Sequence, residues 1–159
     1  MDKNKNLRLV AILLLSIAGI FIIDQNIKTA FVEGFKYYTD YMDFILVYNR
    51  GVAFSMFASL GEYLKYLQVM LIVGVFSYII YLKKICYAFP SGLIIGGALS
   101  NIYDRFIHGG VVDMFYWHGW PYPIFGQVGF AVFNFADVMI DVGVVWLLFL
   151  NIKTSLCKN

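Results

Sequence analysis

Residues 132–152 read VFNFADVMIDVGVVWLLFLNI. This stretch is long enough to cross a hydrocarbon core, which takes about 20 mostly apolar residues in a helix. Its only charged residues, Asp137 and Asp141, lie near its beginning and one helical turn apart. The sequence therefore predicts a transmembrane helix that carries two carboxylates near one end.

Three further windows without charge are typical of the same kind of helix. The chain has 159 residues, of which 61% are hydrophobic and only 14% charged, a balance typical of a multi-pass membrane protein. The predicted helices span residues about 7–24, 66–82, 85–104 and 132–152. We expect one integral membrane domain over residues 1–159.

Basic residues divide unevenly between the two sides of these helices. One side collects seven Lys and Arg and the single acid Asp2, and the other collects five basic residues and nine acids. Because cytoplasmic loops carry the excess of Lys and Arg, both termini are predicted to be cytoplasmic. The basic start of the chain also resembles a signal peptide, but no small-x-small cleavage site follows, so we expect the first helix to be retained.

Two segments are predicted to lie outside the spans, on the extracytoplasmic side. A small β-cradle is expected at about residues 35–58, with a turn at Asn49-Arg50-Gly51 between strands at 44–48 and 52–54. An interfacial loop is expected at about residues 105–131, because amphipathic rings favour the headgroup level. Its aromatic and proline residues are Tyr116, Trp117, Trp120, Pro121, Tyr122 and Pro123.

Composition and motifs exclude several classes of function. No basic stripe dense enough for nucleic acid is present. A metal cluster of His108, Asp113 and His118 has poor spacing, and Cys86 and Cys157 are expected to form neither a disulfide nor a metal site. We therefore expect no metal and no cofactor.

Paired carboxylates remain as the chemistry available to this sequence. An intramembrane acid is a functional candidate, and Asp137 is expected to face the helix bundle because lipid exposure of a carboxylate is costly. Two carboxylates that share a proton can act as general base and general acid on one water. On physical grounds alone the partner of Asp137 is left open between Asp24, Asp104, Asp113 and Asp141.

Small residues recur every four positions on the third predicted helix, at Ala88, Gly92, Gly96 and Ser100. Such a stripe lets another helix approach closely, and Gly97 is expected to serve the same purpose. We interpret these residues as packing positions.

Four motifs occur in the order found in the bacterial lipoprotein signal peptidases. They are Asp24-Gln25-x-x-Lys28, the segment 49–55 (NRGVAFS), the segment 96–105 (GGALSNIYDR) followed by 110–113 (GVVD), and the segment 133–137 (FNFAD). By these motifs the chain resembles the signal peptidase II family, the aspartyl intramembrane peptidases. The likeness runs from Asp24 to Asp137.

The resemblance implies an all-α membrane protein with four transmembrane helices, a small extracytoplasmic β-cradle and both termini in the cytoplasm. It implies a metal-independent aspartyl endopeptidase that removes the signal peptide of a diacylglyceryl-modified prolipoprotein by cleaving before the lipidated cysteine. The implied location is the bacterial cytoplasmic (inner) membrane, with the active site at the extracytoplasmic face. Implied partners are the diacylated prolipoprotein, membrane lipids and cyclic peptide inhibitors such as globomycin.

Carried over by motif position, the resemblance assigns three groups of residues. The catalytic pair is Asp113 and Asp137. The substrate-binding residues are Asn49, Gly51, Asn101, Arg105 and Asn134. The supporting polar residues are Asp24, Lys28 and Asp104.

Two positions depart from the family pattern. Ser100 stands where many members have Gly, an exchange that preserves small size, and Asp141 lies outside the motif. We expect Asp141 to be structural or solvated. Two other classes of function compete: a small ion-coupled transporter, for which the expected inverted repeats are not visible, and a non-catalytic membrane scaffold held by the small-residue stripe.

Overall fold

Four long helices and a small antiparallel sheet make up the part of the chain that the structure describes. This computed structural model describes residues 3–51, 63–118 and 131–156. The helices are α1 (Lys3–Val32), α2 (Tyr63–Leu82), α3 (Ile85–Ile107) and α4 (Phe135–Leu156). The strands are β1 (Tyr37–Tyr38), β2 (Met42–Asn49) and β3 (Val111–Trp117).

All four of these helices are long and apolar enough to cross a membrane, which agrees with the predicted number of spans. Helix α3 is central, because it packs against α1, α2 and α4. Its glycines allow the close approach that the small-residue stripe predicted. A Cβ atom at Gly96 would lie 2.8 Å from the carbonyl oxygen of Ile17, and one at Gly97 would lie 2.7 Å from that of Ala136.

Helix α1 corrects the predicted end of the first span. The charge at Asp24 was expected to end the helix, but α1 continues to Val32. The reason is that Asp24 and Lys28 form an ion pair of 2.7 Å within the helix and are both buried, so neither has to reach water. The additional turns carry Phe31, which packs with Val112 and Met114 of the sheet.

The sheet has the order β1-β2-β3, and all its pairs are antiparallel. Strand β3 corrects the prediction of an interfacial loop at about 105–131, since Val111–Met114 are buried and Val111–Asp113 are paired with β2. This segment is rich in β-branched and aromatic residues, a composition that favours a half-buried strand as much as a headgroup-level loop. Val47 is paired with Asp113, and Asn49 with Val111.

Several sequence predictions lie outside the described residues. These are the second arm of the predicted hairpin at 52–54, the remainder of the β-cradle to residue 58, the aromatic residues Trp120 and Tyr122 with Pro121 and Pro123, and Cys157. Within the described part, the neighbours of β2 are β1 and β3.

Candidate active site

The first turn of α4 places Asp137. Asn134 is the residue before the helix, and its side-chain Oδ1 accepts a hydrogen bond from the backbone N–H of Asp137 at 2.9 Å. In return, Asp137 Oδ2 accepts the backbone N–H of Asn134 at 3.1 Å. This reciprocal pair is a capping box, which satisfies two backbone donors at the start of a helix. It holds the Asp137 carboxylate beside the helix terminus, where negative charge is favoured.

Strand β3 places Asp113. The Asp113 side chain is buried, with 2% of the residue exposed, and each of its oxygens accepts a hydrogen bond from an asparagine. Asn49 Nδ2 donates to Oδ2 at 3.0 Å, and Asn134 Nδ2 donates to Oδ1 at 2.7 Å. Asn49 reaches Asp113 because β2 and β3 are paired in this register.

Asn134 therefore contacts both carboxylates. Its side chain binds Asp113, and its backbone N–H binds Asp137. The chain just before it is fixed as well, because Phe133 exchanges backbone hydrogen bonds of 2.9 and 3.1 Å with Phe115 of β3. The structure thus brings together the two aspartates that the resemblance assigned as a pair.

The carboxyl group of Asp113 titrates far from its ordinary range. Burial, and next the nearby negative charge of Asp137, raise its pKa from 3.8 to about 7. Hydrogen bonds from Asn49 and Asn134 and the charge of Lys28 oppose this rise. Near neutral pH Asp113 is consequently protonated in a large share of the molecules.

A buried ion cluster lies behind the pair. Lys28 Nζ is 2.7 Å from both Asp24 and Asp104, and it donates to Asn101 Oδ1 at 2.8 Å. Asn101 Nδ2 in turn donates to Asp137 Oδ1 at 2.8 Å. Because an ammonium group can only donate, Lys28 fixes the orientation of the Asn101 amide toward Asp137.

The two carboxylates of this cluster also bind backbone and side-chain donors. Asp24 accepts the N–H of Ala136 at 2.8 Å and the hydroxyl of Ser100 at 2.6 Å. Asp104 accepts the N–H of Val112 at 3.1 Å. These contacts join α1 and α3 to the start of α4 and to β3, so the cluster positions both elements that carry the pair.

Arg105 lies beside the end of β2. The resemblance assigned it to substrate binding, and in the structure its guanidinium donates to Gln68 Oε1 at 3.0 Å and to the backbone carbonyls of Asn49 and Gly51. Gly51 also donates its N–H to Asn49 Oδ1 at 3.0 Å. Arg105 therefore holds the end of β2, where Asn49 reaches Asp113.

A cavity of about 470 Å³ opens in front of the two carboxylates. Its polar lining consists of Asn49, Gln68, Asn101, Arg105, Asp113, Asp137 and Asp141. Apolar residues of α2 and α4, among them Leu71 and Val138, form much of the remaining wall. Asp141 is exposed and lies one turn beyond Asp137, so it belongs to the lining of the cavity and not to the hydrogen-bonded pair.

His108 and His118, which the sequence analysis considered with Asp113 as a metal cluster, have other neighbours. The His108 ring lies 5.7 Å from that of Tyr48. His118 Nε2 lies 3.2 Å from the carbonyl oxygen of Thr39 and 3.3 Å from Asp43. Asp113 instead faces Asn49 and Asn134.

Two residues of the site were missed by the sequence analysis. Gln25 Nε2 donates to Asp104 at 2.8 Å, and Gln68 accepts from Arg105. Gln68 could have been recognised from the sequence as a candidate site residue, because an amide within an apolar span needs a hydrogen-bond partner. Gln25 lies beside Asp24 in the quoted motif and gave no separate signal.

The fold and the site together define a multi-pass membrane protein with two hydrogen-bonded carboxylates at a cavity. Comparison with known proteins gives the family. Residues 16–153 match the family model described as signal peptidase (SPase) II. The chain belongs to the signal peptidase II family, and it is therefore a peptidase.

Relatives with high identity carry the same name. The lipoprotein signal peptidase of Sulfurimonas denitrificans is 65% identical over 156 residues, which cover 98% of this chain and 97% of that protein. That of Sulfurovum sp. is 54% identical over 145 residues, covering 89% and 93%. That of Campylobacter jejuni is 42% identical over 131 residues, covering 81% and 80%.

Solved structures share the fold at low identity. One bacterial membrane enzyme has a TM-score of 0.76 at 21% identity, covering 92% of this chain and 90% of that chain. A second has a TM-score of 0.72 at 19% identity, covering 88% and 92%.

Proposed function

We propose that this protein is an aspartyl endopeptidase that removes the signal peptide of diacylglyceryl-modified prolipoproteins by cleaving before the lipidated cysteine. The observation that carries the proposal is the double contact of Asn134, which binds Asp113 and Asp137 at once. Two carboxylates held in this way can bind one water between them. The names of the related proteins supply the class of substrate.

Asp137 and Asp113 take complementary roles in this reaction. Asp137, held as an acceptor by Asn101 and Asn134, removes a proton from the water as the water oxygen attacks the scissile carbonyl carbon. Asp113, with its pKa of about 7, carries the proton that is given to the carbonyl oxygen. When the C–N bond breaks, a proton passes to the leaving nitrogen, and the products are a carboxylic acid and an amine.

The cavity suits a substrate that arrives from the bilayer. Four apolar side chains of α2 and α4 line it near the two carboxylates, namely Leu71, Ile72, Val138 and Ile140. We infer that the signal peptide enters from the membrane while the acyl chains on the cysteine remain among the lipids. Asn49, Gly51, Asn101, Arg105 and Asn134 would then line the path of the cleavage site. Cyclic peptide inhibitors such as globomycin would occupy the same cavity.

The topology follows from the charge distribution. With the basic ends of the helices in the cytoplasm, both termini face inward, and the sheet and the carboxylate pair face outward. We infer that the active site lies at the extracytoplasmic face of the bacterial inner membrane. A reporter enzyme that is active only in the cytoplasm should be active when fused to the C-terminus and inactive when inserted in the β1–β2 connection.

The decisive assay uses purified protein in lipid and two synthetic prolipoproteins that differ only in the diacylglyceryl group. Mass spectrometry should detect loss of the signal peptide from the diacylated substrate alone, with the new N-terminus at the modified cysteine. Equal cleavage of both substrates would contradict the substrate assignment. No cleavage of either, in detergent and lipid alike, would contradict the proposed function.

A further inference from the structure

Gln68 is a polar residue on an otherwise largely apolar helix. It lies on α2, is half-buried, and lines the same cavity as Asp113 and Asp137. An amide group in an apolar span costs free energy unless its donors and acceptors are satisfied. Both the oxygen and the NH₂ group of the Gln68 side chain therefore need hydrogen-bond partners.

The acceptor end of the Gln68 side chain is occupied. Oε1 accepts a hydrogen bond from Arg105 Nε at 3.0 Å, and the same guanidinium donates to the carbonyls of Asn49 and Gly51. A guanidinium group has donors only, so the orientation of the Gln68 amide is determined. Its oxygen must face Arg105, and its NH₂ group must face away from it.

The donor end has no hydrogen-bond partner among the described residues 3–51, 63–118 and 131–156. It belongs to a side chain that lines the cavity, where most of the neighbouring wall on α2 and α4 is apolar. A peptide that is cleaved here must be extended at the cleavage site, and an extended segment presents backbone carbonyls that lack partners. The NH₂ group matches that chemistry, since it can donate two hydrogen bonds.

We propose that Gln68 is a substrate-binding residue whose side-chain NH₂ group donates a hydrogen bond to a backbone carbonyl of the bound signal peptide. The proposal rests on the proposed function, because it takes the cavity to be the peptide site. Arg105 acts on Gln68 as a positioning residue, since it holds the acceptor end and so directs the donor end. The contact recognises the peptide backbone and is therefore independent of the side-chain sequence of the signal peptide.

Two substitutions separate the donor from the acceptor. Gln68→Met has a similar length and removes both functions. Gln68→Glu keeps an oxygen for Arg105 but has no NH₂ group. Ser77→Ala is the matched control, because it removes a polar group from an exposed position on the same helix.

The experiment measures KM and kcat for a diacylated lipopeptide, and also the Kd of the same lipopeptide in an Asp137→Asn background, where cleavage does not consume it. Both Gln68 variants should raise KM and Kd roughly threefold to tenfold, as expected for one neutral hydrogen bond, and should change kcat less. Ser77→Ala should leave all three values unchanged.

Two results would overturn the inference. Wild-type KM and Kd in Gln68→Met would show that the contact is not made. Wild-type values in Gln68→Glu together with weakened binding in Gln68→Met would show that Gln68 serves only to hold Arg105. Failure of the proposed function would look different, because the wild-type protein itself would then neither bind nor cleave the lipopeptide.

Discussion

The side-chain amide of Asn134 lies 2.7 Å from a carboxylate oxygen of Asp113 and so ties the start of α4 to β3. The same residue caps α4 and holds Asp137. One asparagine thus couples the local stability of a helix end to the distance between two carboxylates. Changes at this residue should affect folding and catalysis together.

Asn134→Ala should lower kcat on the order of a hundredfold, because the two carboxylates lose their common donor. Loss of the helix cap should also lower the free energy of unfolding by about 1 kcal/mol. Both effects can be measured by cleavage kinetics and by thermal unfolding in detergent. Asn26→Ala is the control, since Asn26 is exposed and its side chain donates to the carbonyl of Ile22 in its own helix. Wild-type kcat in Asn134→Ala would contradict the role of this contact.

Lys28→Met should destabilise the protein by about 3–5 kcal/mol, since Asp24 and Asp104 would remain buried without a counter-charge. The double variant Lys28→Met with Asp104→Asn keeps the formal charge of the cluster and should recover part of this loss. Melting temperatures of the folded fraction test both statements. Lys36→Met, at an exposed position, should melt like the wild type. A double variant no more stable than Lys28→Met would show that charge balance is not the cause.

The raised pKa of Asp113 has consequences for both rate and stability. Because the proposed acid loses its proton as pH rises through about 7, the cleavage rate should fall on the alkaline side of that value. The free energy of unfolding should fall as pH rises from 3.8 to about 7. In that range the folded protein holds a proton on Asp113 that the unfolded chain has released. Asp113→Asn should lack this part of the pH dependence of unfolding. A rate that stays constant well above pH 7 would contradict the assignment of Asp113 as the acid.

Gly97→Ala should destabilise the protein by about 1–3 kcal/mol, because the new Cβ would lie 2.7 Å from the carbonyl oxygen of Ala136. The displaced start of α4 should lower kcat as well. Gly74→Ala is the matched control: it is also helical, but a Cβ there meets nothing within 4 Å. It should be neutral or slightly stabilising, as alanine is the better helix former. Equal effects of the two substitutions would show that close packing at Gly97 does not position α4.

The sequence sufficed to predict the features that depend on long apolar windows. Four membrane-capable helices and the close packing at Gly96 and Gly97 followed from hydropathy and residue size, and the strand predicted at 44–48 corresponds to β2. The apolar neighbours of Asp137 in the sequence also predicted that its side chain faces the helix bundle. The resemblance alone identified Asp113 as the partner of Asp137, because the spacing of residues along the chain does not predict contacts between β3 and α4.

The missed features depend on tertiary contacts. The end of α1 was predicted at Asp24 because a charge usually ends a span, whereas burial with Lys28 and Asp104 lets the helix continue. Strand β3 was predicted as a loop because its aromatic residues suit the headgroup level equally well, and only pairing with β2 distinguishes the two. Gln68 was overlooked although an amide in an apolar span needs a hydrogen-bond partner, and the identity of that partner, Arg105 on α3, is a tertiary contact.

Asp113 and Asp137 are proposed to hydrolyse the peptide bond together. The most direct test is the single-turnover cleavage rate of a diacylated prolipoprotein by Asp113→Asn, by Asp137→Asn and by the control Asp40→Asn, which changes an exposed residue of the β1–β2 connection. All three proteins should reach the membrane and melt as folded proteins. Cleavage should be undetectable with the first two variants and should proceed at the wild-type rate with the third. Cleavage near the wild-type rate by either Asp113→Asn or Asp137→Asn would contradict their role as the hydrolytic pair.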